Sequence, residues 1–494
     1  MSKLFVFGIG GTGSRVIKAM TMLFTAGIKL PNNFNQVVPI IIDPDSSNGD
    51  MVATKNMLKR YREIRKTIGN PHCFYQQEII SVSELNGVPN GGSNPFELGI
   101  SGTSQNNFGQ YISVSTMPHD PNQGVDDQSF VKTLYSQDNL NANLSVGFKG
   151  NPNMGAVVLS QIVKSQDFLD FCQVFKPGDA IFIINSIFGG TGAAGFPLLL
   201  KNLRSNANIP NYQTINNAII GDITYLPYYT LGQPSDGYKT VNPNTFDEKA
   251  KVALDYYNTT IITANQINRI YFVGNQNNQN AQNYSEGGST QRNDAHFLEM
   301  AGAMAVYNFC ASLPAAGQNT QVMEFGIKSN DDTKGLIFSD LDVNDEILIA
   351  PCLTKYKLFS DYLKYGLERS IKSCRWTRSK IMLVPKGKKT ELDSDFFSGS
   401  EFQTLKEMNN EFDEWLSEMA RNKPSFAPFF NVNANDIMKL RKGKTPKGNI
   451  SCKDLDCMNA ELILLKKYGD SKLGRLVNLF ADSTQYVCET KKML

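Results

Sequence analysis

The groups best placed for chemistry in this chain are backbone amides in glycine-rich turns. Ala180–Ile184 is a β-rich apolar run, Gly189-Gly190-Thr191-Gly192-Ala193-Ala194-Gly195 follows it, and Phe196–Leu203 is compatible with a helix. Residues without bulky side chains can take positive φ and let successive N–H groups converge on an anion. The helix that follows adds the positive end of its dipole. Thr191 supplies a hydroxyl inside the loop. A tight strand-to-helix turn without a ligand produces the same pattern, so a single loop leaves both readings open.

A second loop lies at the first βα junction. Leu4–Phe7 reads as a buried strand and Arg15–Phe24 as a helix, with apolar residues at Val16, Ile17, Met20, Leu23 and Phe24. Gly8-Ile9-Gly10-Gly11-Thr12-Gly13-Ser14 between them is a GxGxxG turn. A Rossmann dinucleotide site uses the same glycines with an acid at the end of the second strand, and Asp43 supplies one. A third loop is Gly147-Phe148-Lys149-Gly150-Asn151-Pro152-Asn153-Met154-Gly155.

The elements that must carry these loops alternate. Asn217–Thr224 and Arg269–Gly274 read as strands, and Met51–Ile68 and Phe246–Tyr257 as helices, a pattern that calls for a largely parallel sheet covered on both faces. Residues 86–109 are rich in Gly, Asn and Ser and read as an irregular excursion. After a Gln/Asn-rich stretch over 275–293, Ala295–Phe309 is apolar around most of its circumference, as in a helix buried on nearly all sides. Asn293 and Asp294 sit where that helix would begin. Glu401–Met419 is amphipathic through Phe402, Leu405, Met408, Phe412, Trp415, Leu416 and Met419. Lys439, Arg441, Lys442, Lys444 and Lys447 form a basic linker expected in solvent.

A length of 494 residues suggests two domains, and 41% hydrophobic with 19% charged residues describes an ordinary globular chain. A net charge of +2 argues against duplex nucleic acid as a bulk electrostatic partner. Eight cysteines without a Cys-x-x-Cys pair, and three histidines, argue against a zinc site. The start Met1–Gly8 does not read as a secretory signal, and no apolar run reaches membrane-spanning length. The expectation is a reduced, cytoplasmic setting.

The three loops, in this order, resemble those of the tubulin/FtsZ superfamily. Gly189–Gly195 is similar to its GGGTGSG signature, with Phe188 before two glycines where the family often has three. Val38-Pro39-Ile40-Ile41-Ile42-Asp43-Pro44-Asp45 is similar to the tubulin stretch VPRAxxVDLEP, whose acid-x-acid pair lies near phosphates and magnesium. Two carboxylates at this spacing suit a hard divalent cation, and a solvated Asp-Pro-Asp turn is the alternative for Asp45. Gly147–Gly155 resembles the GAGGNPxxG loop of FtsZ, which puts Asn151 and Gly155 beside the γ-phosphate. A Rossmann dehydrogenase or an adenylating enzyme would explain only the first loop.

The resemblance implies an α/β fold with a Rossmann-like parallel sheet, a long central helix and a second α+β domain. The corresponding boundaries are 1–290, with a variable insertion at about 50–146, then 291–313 and 314–494. It implies GTP held by Gly10, Gly11, Thr12, Gly13, Asn151, Gly155, Gly189, Gly190, Thr191 and Gly192, with Mg²⁺ on Asp43 and Asp45. Asn293 and Asp294 would accept from guanine N1–H and N2–H₂, or would cap the central helix. Gly335–Asp342 resembles the GLINLDFAD segment of FtsZ, so Asp340 and Asp342 would complete the active site of a neighbouring subunit. Head-to-tail self-association, filament formation and GTP hydrolysis follow by analogy, with an adaptor partner open. The stretch Tyr225–Tyr229 carries no acid where FtsZ directs a glutamate toward the ribose. A nucleotide-binding scaffold without hydrolysis and a Rossmann-type NAD- or ATP-using enzyme remain the alternatives.

Overall fold

The computed structural model describes residues 2–88, 95–120, 125–148, 150–231, 246–275, 281–282, 285, 287–314, 318–324, 335–373, 376, 394–430, 440–445, 447–448, 450–465, 468 and 470–494. Residues 2–324 are built on seven parallel strands: β1 (Ser2–Ile9), β2 (Phe34–Ile42), β3 (Glu78–Ile79), β4 (Ala180–Ser186), β5 (Ile219–Tyr225), β6 (Arg269–Val273) and β7 (Gln321–Glu324). They lie in the order β7-β6-β5-β4-β1-β2-β3, every neighbouring pair parallel. The chain leaves β1 toward β2 and β3 and then returns to the other side of β1 at β4. This reversal makes the β1/β4 crevice the switch point, where ligands of doubly wound sheets bind.

Strand composition follows from coverage on both faces. Leu4 and Val6 of β1 enter one core and Phe5, Phe7 and Ile9 the other, which is why the strand reads as a continuous apolar run. The first core takes α1 (Gly10–Thr25) and α2 (Gly49–Ile68). The second takes α3 (Pro152–Leu159), α4 (Gln166–Val174), α5 (Gly190–Ser205) and α6 (Phe246–Tyr257). The α/β reading with a parallel, doubly covered sheet therefore holds. Within the stretch after residue 50, α2 packs on α1 and β3 pairs with β2.

The central helix α7 (Phe297–Ala311) is buried along most of its length. Its N-cap is His296, whose Nδ1 accepts the Leu298 amide at 3.0 Å, while Nε2 meets the Lys423 carbonyl oxygen at 2.9 Å. The capping role considered for Asn293 and Asp294 thus falls to His296. Beyond α7, β7 returns to the sheet edge beside β6.

The described second half consists of helices, chiefly α8 (Val343–Tyr365), α9 (Ser400–Arg421), α10 (Cys452–Leu462) and α11 (Lys472–Thr490). Two isolated β-bridges, Leu336 with Phe426 and Phe429 with Arg441, lie among its described residues. The apolar stripe of α9 is buried as its sequence demands, from Phe402 to Met419. In the basic linker Lys444 and Lys447 are exposed as expected, and Arg441 departs from expectation. Arg441 is buried, pairs with Glu346 at 2.7 Å and lies over the Phe338 ring; Lys439 is outside the described residues. Among the described residues no helix is long and apolar enough to cross a membrane.

Candidate functional site

At the switch point the first turn has no intervening loop: α1 starts at Gly10, directly after β1, with Gly10 at φ +71°. The loop expected over 8–14 is thus partly helix. Its glycines divide by task. A Cβ on Gly13 would lie 2.4 Å from the Gly8 carbonyl carbon, so Gly8 and Gly13 permit close strand–helix packing. Gly10, Gly11 and Thr12 line a pocket. The signature turn behaves alike. A Cβ on Gly192 would meet the Ser186 carbonyl oxygen at 2.5 Å, while Gly189, Gly190, Thr191 and Gly192 all border the same pocket.

The third loop closes it. Gly147, Phe148 and Gly150 line the pocket. Asn151 does not, and its side chain donates to Asn139 at 3.1 Å. Gly155 serves packing, since a Cβ there would lie 2.9 Å from the Gly190 carbonyl oxygen. Three turns drawn from between Gly10 and Gly192 therefore meet in one cavity, with the N-termini of α1 and α5 directed at it and no acid in either first turn. Such an arrangement attracts anions.

Asp43 and Asp45 border the same cavity. Burial, with Asp45, Glu97 and Asp50 nearby, raises the Asp43 carboxyl to about 8. Its partners are the Asp45 amide at 3.1 Å and Asn48 Nδ2 at 3.4 Å, neither of them cationic. A buried carboxyl without a counter-charge is a group that could hold a divalent cation. Asp45 is more fully engaged. Oδ1 accepts the Ser47 amide and hydroxyl, and Oδ2 the Gly288 amide, so Asp45 anchors the 287–288 turn over the pocket. Among the described residues, no cluster of three or more His, Cys, Asp or Glu could hold a metal without such outside ligands.

The wall beyond Gly11 is a polar network that sequence reasoning missed. Arg15, buried in the first turns of α1, donates Nη1 to Asp50 at 2.7 Å, Nε to Glu299 at 2.5 Å and Nη2 to Tyr228 at 2.8 Å. It joins α1, α2 and α7 at the pocket edge. The available signal was a charged residue at the start of a helix that continues with the apolar Val16 and Ile17. Tyr229 lines the cavity beside Arg15, where the family pattern led one to seek an acid, while Tyr225 and Tyr228 belong to the core. Asn48 and Gln291 complete this wall.

Asn293 lines the pocket, with its amide nitrogen 3.1 Å from Asp50 Oδ1. Asp294 is outside the lining and pairs with Arg421 at 3.3 Å on the surface. Asp340 and Asp342 are also outside it. Asp340 accepts the Ile337 amide at 2.8 Å, and Asp342 caps α8 by accepting the Asn344 amide at 3.0 Å.

Fold and site together define an α/β protein with a glycine-lined polar pocket at the switch point of a doubly wound parallel sheet. No protein-family model matches the chain, and no curated protein matches it. Among solved structures it is similar to CetZ2 from Haloferax volcanii, a GTPγS-bound protofilament, at 15% identity and TM-score 0.28, covering 63% of this chain and 58% of that one. It thus spans a little over half the length of that relative. It is also similar to the GTPγS-form protofilament of TubZ from Bacillus thuringiensis serovar israelensis, at 13% identity and TM-score 0.25, covering 83% and 81%. A helical TubZ two-stranded filament gives 14% identity and TM-score 0.24, covering 84% and 79%.

Proposed function

We propose that this chain is a divergent tubulin/FtsZ-like protein that binds GTP with Mg²⁺ in the switch-point pocket, self-assembles head to tail and hydrolyses GTP in the assembly. The observation that carries this reading is the meeting of three glycine turns, through Gly10 and Gly11, Gly147 and Gly150, and Gly189 to Gly192, around one cavity that Asp43 also lines. A dinucleotide site needs only the first of them. Phosphates would lie against the N-termini of α1 and α5, and the cation would sit between them and Asp43, offsetting the buried carboxylate. The cation's chemistry is charge neutralisation of the phosphates. Asp340 and Asp342, outside the pocket of their own chain, would act on the nucleotide of the next subunit.

One observation favours a second reading, a nucleotide-binding scaffold that does not hydrolyse: both aspartates already accept backbone amides. The test is the nucleotide released on denaturing purified protein, followed by sedimentation with GTP or GTPγS. Guanine nucleotide and nucleotide-dependent pelleting support the proposal. Release of NAD or an adenylate overturns it.

A further inference from the structure

The third glycine turn is held from outside the pocket. Lys249, on α6, donates its ammonium to the Gly150 carbonyl oxygen at 2.9 Å, and the described residues supply it with no carboxylate. Gly150 lines the pocket and stands at φ +76°. Its amide and that of Asn151 pack on the first residue of α5, where a Cβ on Gly190 would meet them at 3.3 Å and 3.1 Å. The helix that presents Lys249 is itself anchored, because Tyr257 at its far end packs edge-on against Phe196 of α5 with ring centroids 5.1 Å apart. Lys249 is therefore fixed relative to the two turns that meet at Gly190 and Gly150.

The same peptide is also tied at its nitrogen, where the Asn151 amide donates to the Phe148 oxygen at 2.8 Å, so turning it would break both bonds and swing the carbonyl dipole away from α6. Any carbonyl oxygen turned toward the pocket would repel bound phosphate. We infer that Lys249 is a positioning residue for the anion site: by tying the Gly150 oxygen to α6 it keeps that oxygen out of the pocket and holds the third turn in its anion-accepting form. This deepens the proposed nucleotide site and rests on it for the identity of the anion. The clamp itself is a property of the ligand-free chain.

The test compares Lys249→Met, Lys249→Arg and Lys251→Met, the last an exposed lysine on the same helix. GTPγS affinity should fall about tenfold or more in Lys249→Met, the scale of a lost charge-assisted hydrogen bond. It should stay within about twofold of the parent in Lys249→Arg, which restores the donor, and in Lys251→Met. In parallel, amide hydrogen exchange without nucleotide should speed up over residues 150–155 in Lys249→Met alone, with thermal unfolding unchanged. Unaltered exchange in Lys249→Met, or no rescue by arginine, overturns the clamp. If the parent protein binds no GTPγS, the nucleotide assignment falls, and the exchange result still decides the role of Lys249.

Discussion

Gly190, which lines the pocket, packs so closely on the third turn that a Cβ on it would lie 3.1 Å from the Asn151 amide nitrogen. A branched side chain at Gly190 therefore strikes the neighbouring turn as well as any ligand. Gly190→Val should lower both thermal stability and GTP affinity. Gly11 offers the cleaner separation, because a Cβ there meets nothing nearer than Arg15 Nη1 at 3.5 Å. Gly11→Val should fold with its melting temperature nearly unchanged and lose GTP binding by at least about tenfold, since the added carbons project where the ligand must approach. A folded Gly11→Val protein with parental affinity would place the phosphates elsewhere.

Asp43 gives a prediction with a definite sign. Its carboxyl is raised to about 8 by burial, against an unfolded value of about 4. Between those values the folded state holds the proton and the unfolded state releases it, so metal-free stability should fall as pH rises from about 4 to about 8. Asp43→Asn should flatten that slope and raise metal-free stability at neutral pH, read by urea unfolding in chelator. The same variant should weaken GTP binding more in magnesium than in chelator, as expected of a carboxylate that acts through the cation. Equal weakening under both conditions would make Asp43 a structural residue only.

Arg15 balances Asp50 and Glu299 inside the fold. Arg15→Met would leave two buried carboxylates without their cation, a change that costs about 3–5 kcal/mol. Urea unfolding should show a loss of that size, together with loosened α2 and α7 amides by hydrogen exchange. Little change would mean that water reaches Asp50 and Glu299.

Parts of the chain differed in how openly they announced these roles. The strands were legible because each is covered on both faces, which leaves an apolar run between turns, and the α9 stripe was legible because one face is solvated. The three glycine turns were legible as turns. Their division of labour was not, because Gly10 and Gly13 are alike in sequence, and only the fold shows one at the pocket and the other against Gly8. Asp294 and Asn293 are adjacent, yet one faces Arg421 and the other Asp50, a choice set by packing far away in sequence. Imidazole is an uncommon N-cap, so sequence alone does not mark His296 as one; here its Nδ1 does the work of a Ser or Asp oxygen. The Arg15 network joins residues up to 284 positions apart, which no local pattern can reveal.

The last prediction concerns the two aspartates ahead of α8. Both accept backbone amides, so replacing either by alanine would remove a capping bond worth about 1 kcal/mol and confuse folding with chemistry. Asparagine keeps a capping oxygen and removes only the charge. If the neighbouring subunit supplies the acid, GTPase activity per molecule should rise with protein concentration, because only an assembled pair contains a whole site. The double variant Asp340→Asn, Asp342→Asn should then fold, bind GTP with parental affinity and lose about 10²–10⁴-fold in hydrolysis, the usual worth of a carboxylate that orients or deprotonates water. Binding retained with turnover lost is the signature of a group acting in the transition state. Mixing this variant with Gly11→Val adds the decisive measurement: each alone lacks one half of a site, while one of the mixed interfaces joins an intact nucleotide face to an intact acidic face. Recovered activity in the mixture places the acid in trans. Activity that is independent of concentration and untouched in the double variant would remove Asp340 and Asp342 from the chemistry, and an absence of GTPase activity in the parent chain would leave the scaffold reading in its place.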